Sequence, residues 1–261
     1  MEAPLFSPDH YWTALGLGML MALGAAVAGA FTTTPYGRFG SDKLGPSVPI
    51  RLGWVLMEAP AVLAFVWFFP QGPRALEPVP LLFAGVWAIH YTNRAILFPW
   101  LMKARPGSRM SVSVFGSGWV VTTLHAWLYA TWFSTLGDHL TTDWLTDPRF
   151  VVGLPLYALG LGLILHTEHL LRRLRATPRP EGQHYVVPQG GGFRWVTNPH
   201  YLGEILAWTG LMLASWCPGG LFVWSITLAN LVPRALATHR WYHETFPDYP
   251  SDRRVLLPGL W

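Results

Sequence analysis

The sequence predicts an all-α polytopic membrane protein with about seven transmembrane helices, its N-terminus outside and its C-terminus in the cytoplasm. Three observations predict it. Of the 261 residues, 51% are hydrophobic and only 12% charged, with a mean hydropathy of +0.29, a balance at which a water-soluble domain of this size would not stay in solution. Apolar windows of about 20 residues, the length that crosses the hydrocarbon of a bilayer, recur along the chain. Lys and Arg collect in alternate connections between those windows, as they do on the cytoplasmic side of membrane proteins. The 15 Trp and 23 Pro agree, since Trp gathers at bilayer interfaces and spanning helices tolerate Pro, but neither count separates a transporter from an enzyme.

The first window, Trp12–Phe31, follows an opening M-E-A-P-L-F-S-P-D-H that lacks the positive n-region of a signal peptide, so it reads as an uncleaved anchor. The second, Leu52–Phe69, carries Glu58 near its middle, and the third, Val79–Leu101, carries H-Y-T-N-R from His90 to Arg94. Val112–Leu136 is the fourth. The loop after it, Asp138–Asp147, has three Asp and no Lys or Arg, which suits the outer face. Phe150–Leu171, Tyr201–Cys217 and Leu221–Ala237 complete the set. Fifteen of the 18 Lys and Arg fall in one set of connections: Arg38, Lys43 and Arg51; Lys103, Arg105 and Arg109; Arg172, Arg173, Arg175, Arg179 and Arg194; Arg234, Arg240, Arg253 and Arg254. Arg74 and Arg149 lie in the opposite connections and Arg94 within the third window. No repeat or low-complexity linker marks a boundary, so residues 1–261 read as a single integral-membrane domain.

Several chemistries lack their signatures. A single cysteine, Cys217, excludes an intrachain disulfide and any Cys-based zinc or iron–sulfur site. His239 with His243, and His166 with His169, make close pairs, but there is no H-E-x-x-H and no array of His and carboxylates, so no metal is expected. There is no G-x-G-x-x-G after a strand, and no strand is expected, so a nucleotide would be held by a helical cavity. No spacing of Ser, His and Asp points to a hydrolase. The formal charge of +4 is modest, and neither a nucleic-acid partner nor an obligate protein partner is expected.

Ionisable residues inside apolar windows are costly in a bilayer and usually functional. A buried Glu58 is expected to stay protonated and to donate a hydrogen bond to a substrate carbonyl; the alternative is a structural bond to a neighbouring helix. His90 and Arg94 share a helical face with Tyr91 beside them. A phenol and a carboxyl donor from adjacent helices can together polarise one ketone and stabilise a developing enolate. Glu168, Arg172 and Arg175 stand at i, i+4 and i+7 on one face, which suits a ribose hydroxyl and phosphates, or a simple helix-end ion pair. The segment Pro188–Glu204, P-Q-G-G-G-F-R-W-V-T-N-P-H-Y-L-G-E, places Asn198, His200 and Glu204 at the mouth of the sixth window, with Trp208 one turn further. Arg234, Thr238 and Tyr242 line a face of the seventh, with His239 and Arg240 close by. The basic segments either hold a phosphate-bearing cytosolic ligand or only set topology and touch lipid head groups.

The run from H-T-E-H-L-L-R-R-L-R through Y-V-V-P-Q-G-G-G-F, N-P-H-Y-L-G-E-I-L-A-W, P-R-A-L-A-T-H-R-W-Y and F-P-D-Y-P-S-D-R-R-V-L-L-P, with M-E-A-P-A, H-Y-T-N-R and Arg105–Pro106 before it, resembles the steroid 5α-reductases, and a bacterial member of them. The resemblance implies a seven-helix reductase, in a bacterial inner membrane, that uses NADPH to reduce the Δ4 double bond of a 3-oxo steroid or related lipid. It implies that Glu58 and Tyr91 hold the C3 carbonyl oxygen. It further implies that Glu168, Arg172, Arg175, Tyr185, Asn198, His200, Glu204, Arg234, His239 and Tyr242 surround the cofactor, which places cofactor groups mainly in residues 164–261. Met57, Ile164, Glu168 and Thr238 depart from the familiar animal pattern, which has Gln, Asn, Asp and His there. Competing readings are a reductase of another lipid enone or enoyl substrate, an isoprenylcysteine-type methyltransferase using S-adenosylmethionine, and a non-catalytic lipid-binding or transport protein.

Overall fold

A computed structural model describes residues 6–33, 35, 37–40, 45–178 and 185–261, with Arg38 described by its backbone alone. Lys43, Arg179 and the opening M-E-A-P-L, used above for topology and the anchor, lie outside the described residues.

The structure is mostly helical, in the order α1 (Pro8–Phe31), β1 (Ser47–Pro49), α2 (Ile50–Phe68), α3 (Pro78–Tyr91), a π turn (Thr92–Leu97), α4 (Phe98–Leu101), β2 (Arg109–Ser111), α5 (Val112–Thr131), a second π turn (Trp132–Leu136), α6 (Pro148–Ala176), α7 (Pro199–Ser215) and α8 (Gly219–Thr245). Each of the seven apolar windows therefore falls mainly on helix, the sixth ending its helix at Ser215 with Trp216 in a left-handed turn. Local chemistry starts several of these helices. Ser7 caps α1 by accepting the His10 N–H, Ser111 caps α5 through Ser113, and Asp147 caps α6 through Arg149, each satisfying a donor the first turn leaves open. Pro8, Pro148 and Pro199 stand at the start of α1, α6 and α7, where the missing N–H is not needed.

Four helical stretches, Pro8–Phe31, Ile50–Gln71, Pro148–Ala176 and Gly219–Thr245, are long and apolar enough to cross a membrane. Their outward side chains are apolar too: Leu17, Leu20, Leu23, Leu63, Val66, Trp67 and Leu159 are all exposed, a surface that only lipid covers without penalty. The chain is an integral membrane protein.

One expectation needs correction. Strands are present: β1 and β2 pair antiparallel, with Val48 opposite Met110, and a parallel bridge joins Val196 to Arg254. Both pairings sit between helix ends, where backbone groups without an intrahelical partner must find one elsewhere. Three-residue strands are too short to show a period of two in the sequence.

Packing fixes the site. Gly153 and Gly160 of α6 face Gly210 and Gly203 of α7 so closely that a β-carbon on Gly160 would run into the backbone of Ala207 and Gly203, the close approach that small residues allow between membrane helices. Thr122 of α5 donates to the Met57 carbonyl of α2 at 2.9 Å. Tyr11 accepts the Gly219 N–H at 2.9 Å, pinning α1 to the start of α8. Between the helices, Phe65 stacks on Phe69 and Trp87, and Phe83 on Phe133.

Candidate active site

Two polar constellations lie in and beside this apolar bundle. The first is centred on Arg94, in the π turn that follows α3. Its guanidinium bridges two carboxylates from different helices, with Nε 3.1 Å from Glu58 Oε1 of α2 and Nη1 2.7 Å from Glu204 Oε1 of α7. Glu58 is 4% exposed and Glu204 6%, so both acids are out of water. The guanidinium also lies 5.4 Å from the Trp54 ring centroid. This contact with Arg94 is the structural bond to a neighbouring helix that stood as the alternative reading of Glu58.

Tyr91, at the last position of α3, is within electrostatic reach of Glu58, Arg94 and Glu204. Its hydroxyl is 3.0 Å from Nδ1 of His125 on α5. His90 does not join the ion pairs. It packs against Trp208 of α7 at 4.4 Å between ring centroids, with both ring nitrogens lacking a hydrogen-bond partner among the described residues. The π turn gives this stretch its reach: the wider turn lets consecutive residues point at two neighbouring helices, a feature common at functional sites. Asn93 is within electrostatic reach of Glu168 of α6, while Arg94 takes Glu58 and Glu204. Arg172 Nη1 stands 3.6 Å from Glu168 Oε2, so the predicted acid–base face of α6 forms and adjoins the Arg94 centre. Arg175, one turn beyond Arg172, is exposed.

The second constellation gathers where the segment before α7, the end of α8 and the C-terminal tail meet. Asn198 is fully buried; its amide donates to the Ala235 carbonyl of α8 and the Val255 carbonyl of the tail at 3.1 and 3.3 Å. His239 Nδ1 lies 2.5 Å from Thr197 Oγ1, which also meets the Tyr249 hydroxyl at 2.8 Å. Arg234 Nε donates to the Tyr201 hydroxyl at 2.8 Å, and its guanidinium faces the Phe39 ring. His200 packs on Tyr201, and Tyr242 stacks on Tyr249. Tyr185 sits between the Arg105 guanidinium at 3.9 Å and the Trp241 ring of α8. Arg253 anchors the tail through the Pro188 carbonyl and Gln189.

The predicted residues thus divide into Glu58, Tyr91, Glu168, Arg172 and Glu204 around Arg94, and Tyr185, Asn198, His200, Arg234, His239 and Tyr242 around the tail, with Arg175 exposed on α6 one turn beyond Arg172. Glu204 follows His200 by one turn of α7 and links the two sets. Sequence reasoning missed the bridging position of Arg94 and the parts of Asn93, His125, Thr197, Tyr201 and Arg253. His125 had a signal: it is an imidazole in an apolar window, the same kind of oddity that singled out Glu58.

Two cavities flank α3. One, of about 310 Å³, is walled by Val62, Phe65, Phe69, Trp87 and Tyr91 among others; a second, of about 350 Å³, reaches Asn93 and Leu161. Both linings are mainly apolar.

A helical membrane bundle with a buried ionisable centre between its helices and apolar cavities beside it has the form of a membrane enzyme acting on a lipid-soluble molecule. Residues 108–261 match the family described as 3-oxo-5-alpha-steroid 4-dehydrogenase. The chain is 31% identical over 246 residues to a steroid 5-alpha-reductase of Solanum lycopersicum, spanning 93% of this chain and 94% of that protein. It is 32% identical over 231 residues to 3-oxo-5-alpha-steroid 4-dehydrogenase 1 of Bos taurus (87% and 88% spanned) and of Homo sapiens (88% and 87%). The chain belongs to the 3-oxo-5-alpha-steroid 4-dehydrogenase family, a family of oxidoreductases.

Proposed function

We propose that the chain is an NADPH-dependent reductase that converts the Δ4 double bond of a 3-oxo steroid to the 5α-dihydro product. The observation that carries this reading is the buried Glu58–Arg94–Glu204 centre, drawn from α2, the π turn and α7, with Tyr91 of α3 within electrostatic reach of all three. The relatives named for this activity support it.

Hydride addition at C5 drives negative charge onto the C3 oxygen, so the barrier falls where donors already stand around that oxygen. Tyr91 provides a phenol. Glu58 provides a second donor when it carries a proton, and charge balance favours that state. Arg94 is one cation between two carboxylates, and its shorter contact is to Glu204. A second bare carboxylate in the same low-dielectric space would lack a counter-charge. The apolar cavity beside Tyr91 suits the ring hydrocarbon and keeps water from the enolate.

NADPH, when bound, supplies the hydride. The chain's residues fit such a ligand. Arg172 and Arg175 suit its phosphates, and Glu168 a ribose hydroxyl. Asn198 Oδ1 is a buried acceptor with no hydrogen-bond partner among the described residues, which a hydroxyl or carboxamide would satisfy. Tyr185, His200, Glu204, Arg234, His239 and Tyr242 complete the proposed cofactor wall. In this reading residues 1–261 form one domain that crosses the bilayer seven times, α3–α4, α5 and α7 joining the four longer spans. The alternation of cationic connections then puts the α6–α7 connection and the tail in the cytoplasm, where NADPH is found.

The decisive experiment incubates detergent-purified protein with NADPH and progesterone and follows the product by mass spectrometry. The reading requires a gain of two hydrogens and a 5α-dihydro product. NADPH binding without that product would redirect the search to other lipid enones. Binding of S-adenosylmethionine in place of NADPH would overturn the reductase assignment.

A further inference from the structure

From the Tyr91–His125 contact we infer that His125 is a positioning residue that donates its Nδ1–H to the Tyr91 oxygen and thereby leaves the phenol proton for a substrate carbonyl. The inference rests on the reading of Tyr91 as a carbonyl donor and adds a residue to it. A phenol has one proton, and Tyr91 meets His125 Nδ1 at 3.0 Å with both side chains buried, 3% and 4% exposed. If the hydroxyl donates to Nδ1, nothing is left for a ketone. If Nδ1 carries the hydrogen, the hydroxyl accepts from it and its own proton is free. With a ketone in the site, the surroundings favour the second arrangement. Nε2 of His125 has no hydrogen-bond partner among the described residues, so a proton there stays a buried donor with no acceptor, whereas a proton on Nδ1 is used and the phenol proton it frees has the carbonyl as its acceptor.

The ring is also held in place. Trp87, Tyr129 and Trp208, from α3, α5 and α7, pack on it with ring centroids 4.8, 5.2 and 4.8 Å away, so Nδ1 cannot swing away from Tyr91 without moving three aromatic neighbours. Accepting a hydrogen bond polarises the phenol O–H and makes it a stronger donor. His125 therefore acts on the carbonyl through Tyr91.

The test compares His125→Leu, which removes the donor, with His125→Asn, whose amide nitrogen can stand where Nδ1 stood, in the wild-type and Tyr91→Phe backgrounds. With NADPH and progesterone, His125→Leu is expected to lower kcat at least tenfold with cofactor KM within twofold. His125→Asn should recover most of that loss. In the Tyr91→Phe background, where the acceptor oxygen is absent, His125→Leu should change kcat less than twofold. Equal losses for Leu and Asn, or undiminished loss in the Tyr91→Phe background, would show a packing role and overturn the inference while leaving the reductase reading intact. A wild-type protein that does not turn over the steroid would overturn both.

Discussion

At the scale of single residues, the centre is governed by how few charges an apolar bundle can hold. Glu58 is the sharpest case, because it both contacts Arg94 and belongs to the proposed carbonyl site. Glu58→Gln keeps the shape and removes the acid, so cofactor affinity should hold while turnover drops. A lost charge-assisted hydrogen bond of about 1.5–3 kcal/mol corresponds to roughly 10- to 160-fold in kcat, and steady-state kinetics with separate cofactor binding would read both; unchanged turnover would remove Glu58 from the chemistry. Outside the membrane segments, His139 offers a pH test. Burial holds its imidazole below the ordinary value of 6.5, although its Nε2–H donates to the Ser215 carbonyl at 3.1 Å. The unfolded chain therefore takes up the proton first as pH falls, and stability is lost from just above 6.5 down to the lower folded value, then levels off. The thermal midpoint should fall by about 1–3 °C more between pH 7.5 and 5.5 in the wild type than in His139→Gln. An identical fall in both would assign the acid sensitivity to other groups. The rarity of charge in apolar windows made Glu58, Glu168 and Glu204 legible in the sequence. It could not reveal that one guanidinium serves two of them, since Arg94 and Glu204 are 110 positions apart.

Among the elements, the pair α6–α7 carries the most consequence, because Glu168 rides on one helix and Glu204 on the other. Their separation depends on glycines that let the two backbones touch. Gly160→Val puts two methyl groups and a branch where the Ala207 and Gly203 backbone lies, and overpacking of this kind costs about 1–3 kcal/mol. The thermal midpoint in detergent should fall by several degrees, and the loss of turnover should exceed that of Gly162→Val, where a β-carbon meets open space. Comparable behaviour of the two variants would mean that the contact does not set the site. The glycines can be read in the sequence, but which of them face another helix cannot. The π turn at Thr92–Leu97 is similarly hidden, because H-Y-T-N-R reads as ordinary helix and only neighbours able to take the displaced side chains stabilise the wider turn. The short strands escaped for lack of length.

For the whole molecule, the orientation of the chain decides which constellation meets a water-soluble cofactor. A reporter that is active only in the cytoplasm, fused after Trp261, should be active, and the same reporter inserted in the Asp138–Asp147 loop should be silent; the reverse pattern would place the tail constellation outside and exclude cytosolic NADPH. Composition, the spacing of apolar windows and the alternation of Lys and Arg are enough to predict a helical membrane protein, because the bilayer imposes one length and one charge rule on each spanning segment whatever its neighbours. The same logic exposes ionisable residues that hydrocarbon would not tolerate idly. Partnership is another matter. That Arg94 joins Glu58 to Glu204, that Tyr91 meets His125, and that Asn198 ties α8 to the tail instead of capping its own helix all depend on contacts between distant positions. Such contacts exist only once the helices have packed, because their distances and directions are set by close-packed interfaces and not by any local preference of the chain.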